Sequence, residues 1–195
     1  RLRGRHGPGR GPLYTDPRTS MKRRRQVELL LLRHAKAEDR GAFARIGQSD
    51  AERPLTAAGR KKMRRVAAGL RVLLPSPPVI ATSPYRRAVE TAEILAAGFS
   101  GLEPLSVPQL APGCSPQEVL AWAVTHAADG RTVALVGHEP DLGRLASWLL
   151  AGEGADFVSL KKGGAALMHI TRQGGTVHGA LRWLLTPSQL RRQAR

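Results

Sequence analysis

The sequence predicts an α/β fold, a three-layer α/β/α sandwich around a mixed, largely parallel sheet. Three observations predict it. Short apolar runs of strand length alternate along the chain with longer apolar stripes of helical period. Two strand-like segments near the C-terminal end flank Gly174-Gly175, which favours a closing hairpin. Hydrophobic residues make up 42 % of the 195 residues but aromatics only 4 %, so aliphatic side chains and alanine must fill one well-buried core.

The elements follow in order. Residues 1–25 are rich in Gly, Pro and Arg and lack both apolar periodicity and the apolar core of a signal peptide. They are expected to be a disordered basic extension, and Met21 before Lys22-Arg23-Arg24-Arg25 looks like a natural start. Residues 26–187 are expected to form the domain. Val27 to Leu32 reads as a buried strand. Residues 56–74 carry Met63, Val66, Ala67, Leu70, Leu73 and Leu74 at helical spacing. Pro78 to Thr82 is a second strand. Ser83-Pro84 then offers an N-cap and a proline at the first helical position of a helix running to about Ala97, with Gly98 as its C-cap. Leu105 to Val107 is a weak strand. Ser115-Pro116-Gln117-Glu118 reads as a capping box opening a helix through about Ala127, ended by Asp129-Gly130. Thr132 to Val136 is a buried strand, and Pro140 starts a helix with Leu142, Leu145, Ala146, Leu149 and Leu150 on one face. Strands at Ala165 to Thr171 and Val177 to Leu184 close the domain. Residues 188–195 are expected to be a frayed basic tail.

Composition narrows the function classes. No apolar run, Leu29 to Leu32 included, approaches the ~20 residues of a membrane span. The single cysteine, Cys114, excludes an intrachain disulfide and a multi-cysteine zinc site, so a reducing cytoplasm is the expected setting. Its loop context reads as an ordinary thiol. The net charge of +16, from 31 Lys+Arg against 15 Asp+Glu, raises nucleic acid as a partner. The arginines are scattered and no aromatics interleave with them, which does not favour it. A monomer with no membrane partner is expected.

In open parallel sheets, ligands bind beyond the carboxyl ends of the strands. Three polar clusters stand there: Arg33-His34, Thr82-Ser83 with the helix behind, and Gly137-His138-Glu139. Two histidines, each directly beyond a buried strand, suggest a site. A metal is the rival reading, but no other histidine or carboxylate stands at chelating spacing around either. His6, His126, His169 and His178 read as tail, helix-surface and strand residues. Arg86 and Arg87 point about 100° apart on a helix, so only one can face the site. Periodicity does not choose between them.

Four segments together resemble the histidine phosphatase superfamily, whose fold is phosphoglycerate mutase-like. Leu32-Arg33-His34-Ala35 resembles its Arg-His-Gly signature, with alanine in the last place. Leu55-Thr56-Ala57-Ala58-Gly59 is similar to its Leu-Thr-x-x-Gly element. Ser83-Pro84-Tyr85-Arg86-Arg87-Ala88, with Glu90-Thr91-Ala92, is similar to its Ser-Pro-x-x-Arg-Ala-x-x-Thr-Ala segment. Gly137-His138-Glu139-Pro140 resembles its second-histidine motif. The segments occur in family order over residues 27–150. The resemblance selects Arg87 over Arg86. It implies that Arg33, Arg87 and His138 bind phosphoryl oxygens and that His34 is transiently phosphorylated. Lys36, two residues past His34, departs from the family pattern and either reaches bound phosphate or lies on the loop. Phosphoryl transfer spreads negative charge over the equatorial oxygens, which fixed cations stabilise, so no cofactor or metal is expected. The nucleophile needs a neutral imidazole whose other nitrogen donates to a fixed acceptor. A backbone carbonyl near Gly59 is the expected acceptor.

The short chain, with no lid-forming insertion, and the run Arg33-His34-Ala35-Lys36-Ala37 resemble the SixA-type phosphohistidine phosphatases. That implies a phosphohistidine-bearing protein as substrate, with a small phosphorylated molecule as the alternative. Leu110 to Gly113, where family members acting on esters often hold an acid, has no carboxylate. Glu139 is the candidate proton donor, with capping of its helix as its other role. Glu38 and Asp39 are weaker candidates. A labile P–N bond needs less help in leaving than an ester, which fits a phosphohistidine. The competing readings are a small-molecule phosphomonoesterase of the same superfamily and a non-catalytic polyanion or nucleic-acid binder that keeps only the phosphate pocket.

Overall fold

The leucine run fixes the middle of the molecule. In the computed structural model, which describes residues 26–194 except 75–77, 100–101, 128–131 and 174–175, strand β1 spans Gln26–Arg33. Successive strand side chains point to opposite faces. Leu29 and Leu31 therefore join one core and Leu30 and Leu32 the other, and none of the four has any exposure. Burying a leucine fully is worth about 1.5–3 kcal/mol, so the run anchors both faces of the sheet at once.

Five more strands complete the sheet: β2 (Val79–Thr82), β3 (Leu105–Ser106), β4 (Thr132–Gly137), β5 (Ala165–Gln173) and β6 (Thr176–Leu185). Their order is β3-β2-β4-β1-β5-β6. The first four run parallel, whereas β5 pairs antiparallel with both β1 and β6. The sheet is thus mixed and largely parallel. Helices α2 (Ala57–Leu73), α3 (Arg86–Ala97) and α6 (Pro187–Gln193) cover one face. Helices α4 (Pro116–His126) and α5 (Asp141–Ala151) cover the other. No described helix is long and apolar enough to cross a membrane. The expected N-terminal extension, the Asp129-Gly130 helix end and the Gly174-Gly175 turn lie outside the described residues. The β5–β6 hairpin pairing itself is present up to Gln173 and Thr176.

Several local expectations are corrected. Helix α3 starts at Arg86, with Tyr85 at its N-cap, so Ser83-Pro84 precedes the helix by a turn. The Ser83 hydroxyl instead accepts the Tyr85 N–H at 3.3 Å. The capping box at Ser115 does not form. Its hydroxyl bonds to the Gln117 side-chain oxygen at 2.8 Å and gives the helix no cap bond. Residues 188–194 do not form the expected frayed tail, since α6 covers most of them. Thr186 and Gln189 close a reciprocal capping box there, and Leu190 is fully buried against α2. An amphipathic turn with one anchoring leucine orders despite its arginines. The sequence reading also lacks α1 (Arg40–Arg45) and a 3-10 turn at Asp50–Glu52.

Candidate active site

Sheet register brings the site together. Arg33 at the end of β1 stands level with Gly137 at the end of β4, and Thr82 of β2 stands level with Val136. The chain emerging from all three strands therefore enters one pocket of about 580 Å³. It is lined by Arg33, His34, Arg87 and His138, with Lys36 and Arg53 beside them. His34, Arg87 and His138 are 6 %, 2 % and 3 % exposed.

The loop that presents His34 is held from four sides. The His34 N–H donates to the Gly137 carbonyl at 3.0 Å, tying β1 to β4. The Ala35 N–H donates to the Thr91 hydroxyl at 3.1 Å, which itself donates to the Arg87 carbonyl at 2.6 Å. Helix α3 thus supports both the loop and the arginine. The Lys36 carbonyl accepts the Thr56 N–H at 3.0 Å and its hydroxyl at 3.2 Å. That carbonyl presses so closely on Gly59 that any side chain there would collide with it. Gly163, at φ +75°, donates to the carbonyls of Arg33 and His34, both at 3.1 Å.

His34 Nδ1 lies 2.7 Å from the Ala35 carbonyl oxygen. A carbonyl only accepts, so Nδ1 carries the proton and Nε2 keeps its lone pair. The acceptor is thus the next residue of the same loop, not the expected carbonyl near Gly59. That segment bonds Lys36 instead. Burial lowers the His34 pKa to about 3; the Ala35 bond opposes this, and the smaller fields of Arg87, Arg33 and Arg53 add to the lowering. The imidazole is neutral at physiological pH. The ring of His138 stands 5.2 Å away, centroid to centroid, and its Nε2 lies 2.8 Å from the Ser83 hydroxyl. Burial and then Arg87 likewise lower its pKa to about 3.

The two arginines of α3 separate cleanly. Arg86 lies at the surface and donates to Glu90 at 3.1 Å, while Arg87 turns into the pocket. Arg87 donates to the Asp50 carbonyl at 2.8 Å and meets its carboxylate at 3.2 Å, with its guanidinium 4.8 Å over the Tyr85 ring. Asp50 also accepts from Arg53 Nε at 2.8 Å and meets Arg40 at 3.3 Å. Burial opposes its charge, but the Arg53 bond and the fields of Arg87, Arg53 and Arg40 outweigh this and hold its carboxyl below the ordinary range. Arg33 donates to the Leu160 carbonyl at 2.7 Å. Buried Nε of Arg33, Nε of Arg87 and Nδ1 of His138 have no protein partner. Burial lowers the pKa of both arginines, and Glu139 and Asp50 respectively offset part of that.

Glu139 lines the pocket, yet its Oε1 accepts the Leu160 N–H at 2.9 Å. Burial raises its pKa, against the opposing Leu160 bond and the field of Arg33. Glu38 and Asp39 also line the pocket, and Asp39 caps α1 through the Ala42 N–H at 2.8 Å. His126 stacks on Trp122 at the surface, and neither it, His169 nor His178 lines the pocket. The sequence reading missed Arg53, Asp50 and Lys162. Arg53 directly precedes the Pro54-Leu55-Thr56 run, a signal that was available. Lys162 lies on the loop entering antiparallel β5, which returns to the carboxyl end of β1.

Comparison with known proteins agrees with this architecture. The family model described as histidine phosphatase superfamily (branch 1) matches residues 29–111. An uncharacterized protein of Picosynechococcus sp. (strain PCC 7002) is 40 % identical over 139 residues, 71 % of this chain and 82 % of that one. The structure of the protein histidine phosphatase SixA complexed with tungstate superposes with a TM-score of 0.64 at 24 % identity, covering 84 % of this chain and 99 % of that one. A mycobacterial glucosyl-3-phosphoglycerate phosphatase complexed with VO3 gives 0.61 at 16 % identity, covering 82 % and 99 %. These two solved structures share the fold, which is phosphoglycerate mutase-like.

Proposed function

The chain belongs to the histidine phosphatase superfamily, and we propose that within it the protein hydrolyses phosphohistidine on a protein, in the manner of SixA, through a phospho-His34 intermediate. One observation carries this reading. His34 Nε2 keeps its lone pair toward a pocket formed by Arg33, Arg87 and His138, with Lys36 at the rim. Nε2 attacks phosphorus and forms an N–P bond as the bond to the substrate imidazole breaks. A substrate ring protonated on its second nitrogen takes the electron pair and leaves neutral, so no protein acid has to act at the departing atom. Water then attacks phospho-His34, the N–P bond returns its electrons to Nε2, and inorganic phosphate departs. The planar forks of Arg33 and Arg87 hold the equatorial oxygens in both steps, with His138 as a third donor and Lys36 at the entrance.

The pocket suits a substrate ring that leaves unaided. Burial raises the Glu139 pKa, but one of its oxygens is spent on the Leu160 N–H, and that bond and the field of Arg33 oppose the rise. Glu139 is better placed to hold the Leu160 loop than to donate. A specific observation favours the second reading, a small-molecule phosphomonoesterase. Glu38 lines the same pocket and could protonate an ester oxygen. A substrate panel separates the two: a phosphohistidine peptide against sugar phosphates and nucleotides. The phosphohistidine reading expects the highest kcat/KM on the peptide, with little effect of Glu38→Gln or Glu139→Gln on kcat. Much higher kcat/KM on an ester, lost in Glu38→Gln, would establish the second reading. Salt-dependent duplex binding without turnover of any phosphate would instead identify a non-catalytic polyanion binder.

A further inference from the structure

A second cavity of about 350 Å³ opens on the outer side of the nucleophile loop. Lys36, Lys62, Lys162 and Arg191 line it, together with Ser188 and apolar residues such as Met63 and Val66. No carboxylate lines it. Among the described residues, none of these four cations is ion-paired, whereas Arg40, Arg53, Arg60, Arg86 and Arg87 all are. Lys36 and Lys162 also line the phosphoryl pocket, so the two cavities meet at that pair of lysines. Four cations converge from the nucleophile loop, α2, the loop before β5 and α6 without an internal counter-charge.

We propose that this groove receives acidic side chains of the protein that carries the phosphohistidine, seated beside the residue being dephosphorylated. The inference rests on the phosphohistidine reading above. The chemistry of the cations selects a protein surface over a second phosphate of a small substrate. A phosphate subsite that fixes geometry uses arginine forks locked by buried partners, as at Arg87, whereas lysine acts as a point charge. Here three of the four are exposed lysines on flexible stems, which attract carboxylates without fixing a geometry. Such a rim raises the encounter rate and holds a partner in register rather than ordering one small molecule. Burial and then the fields of Arg33, Arg53, Lys36 and Arg40 lower the pKa of Lys162, so an arriving carboxylate relieves a local excess of positive charge.

The test compares the full chain with Lys62→Glu/Arg191→Glu, two positions that line the groove and not the phosphoryl pocket. The probes are free N-phosphohistidine, a phosphohistidine peptide flanked by glutamates, and the same peptide flanked by glutamines. The unaltered protein should prefer the glutamate peptide by roughly tenfold in kcat/KM at low ionic strength, through KM, and added salt should shrink the preference. Charge reversal should abolish or invert it while turnover of free phosphohistidine stays within about twofold. The milder Lys62→Gln/Arg191→Gln should reduce the same preference, so the test survives if the reversed variant does not fold. Equal kcat/KM on the two peptides, or a preference that outlasts charge reversal, overturns the groove and leaves the phosphohistidine reading standing. Failure of the unaltered protein to turn over any of the three probes overturns both.

Discussion

Arg87 and Lys62 both stand beside the loop that carries His34, yet they hold their charges in opposite ways. Arg87 is 2 % exposed, bonded to Asp50 through both backbone and carboxylate, and stacked on Tyr85. Lys62 is exposed and unpaired among the described residues. The inner pocket holds Arg33 and Arg87 on fixed protein partners, and the outer groove supplies field without geometry. Preorganised cations cost no rearrangement at the moment of transfer and so act on the chemical step. Flexible surface cations act on encounter and are screened by salt. The same division predicts which substitutions should move kcat and which should move KM.

The largest effect falls on the nucleophile. His34→Ala should reduce turnover by about ten-thousand-fold or more, measured with any substrate the panel identifies. Retention of activity within about a hundredfold would remove the inner pocket from the chemistry. Next come the adjacent arginines. Arg87→Ala should cost about a hundredfold to a thousandfold in kcat. Arg86→Ala, which breaks only a surface pair with Glu90, should stay within about twofold. The reverse order would mean that the wrong face of α3 has been assigned to the pocket.

A smaller effect tests the support behind Arg87. Asp50→Asn keeps the size of the side chain but removes the charge shared by Arg40, Arg53 and Arg87. It should lower kcat roughly tenfold with little change in KM. A purely structural role would instead appear as a drop in melting temperature with kcat preserved.

The pH profile carries the next distinction. The neutral imidazole is the active form, and in the free protein His34 gains a proton only as pH approaches about 3, well below its ordinary 6.5. After correction for substrate ionisation, kcat/KM should therefore hold between neutrality and about pH 5. An acid limb at the ordinary histidine value would show that the burial and cationic fields around His34 are not as described. The stability linkage has a definite sign. The unfolded chain protonates this histidine first, so its contribution is complete above about 6.5 and is lost as pH falls toward about 3. His138, lowered to a similar value, adds to the same loss.

Much of the inner pocket was legible in the sequence because strand ends carry it. A four-leucine run that buries both faces of a sheet has to stop where the sheet stops. Arg33 and His34 follow directly, and His138 follows β4 for the same reason. The outer region was not legible. Lys162 reaches the site because β5 runs antiparallel to β1, a pairing that periodicity does not reveal. Arg191 reaches it because Leu190 docks a helix where the arginine-rich composition suggested a loose end. Asp50 sits on a 3-10 turn too short to leave an apolar period. The Nδ1 acceptor expected near Gly59 follows from the family resemblance alone; the structure uses the Ala35 carbonyl, and the segment before Gly59 contacts the loop one residue further on, at Lys36.

The central claim is that His34 Nε2 takes the phosphoryl group. Rapid mixing with a phosphohistidine substrate labelled on phosphorus, followed by an alkaline quench, measures it directly. Acid-labile, base-stable label should appear on the unaltered protein within one turnover, map to His34, and be absent from His34→Ala. Label persisting at full level on His34→Ala, or full turnover with no label on the unaltered protein, would contradict it.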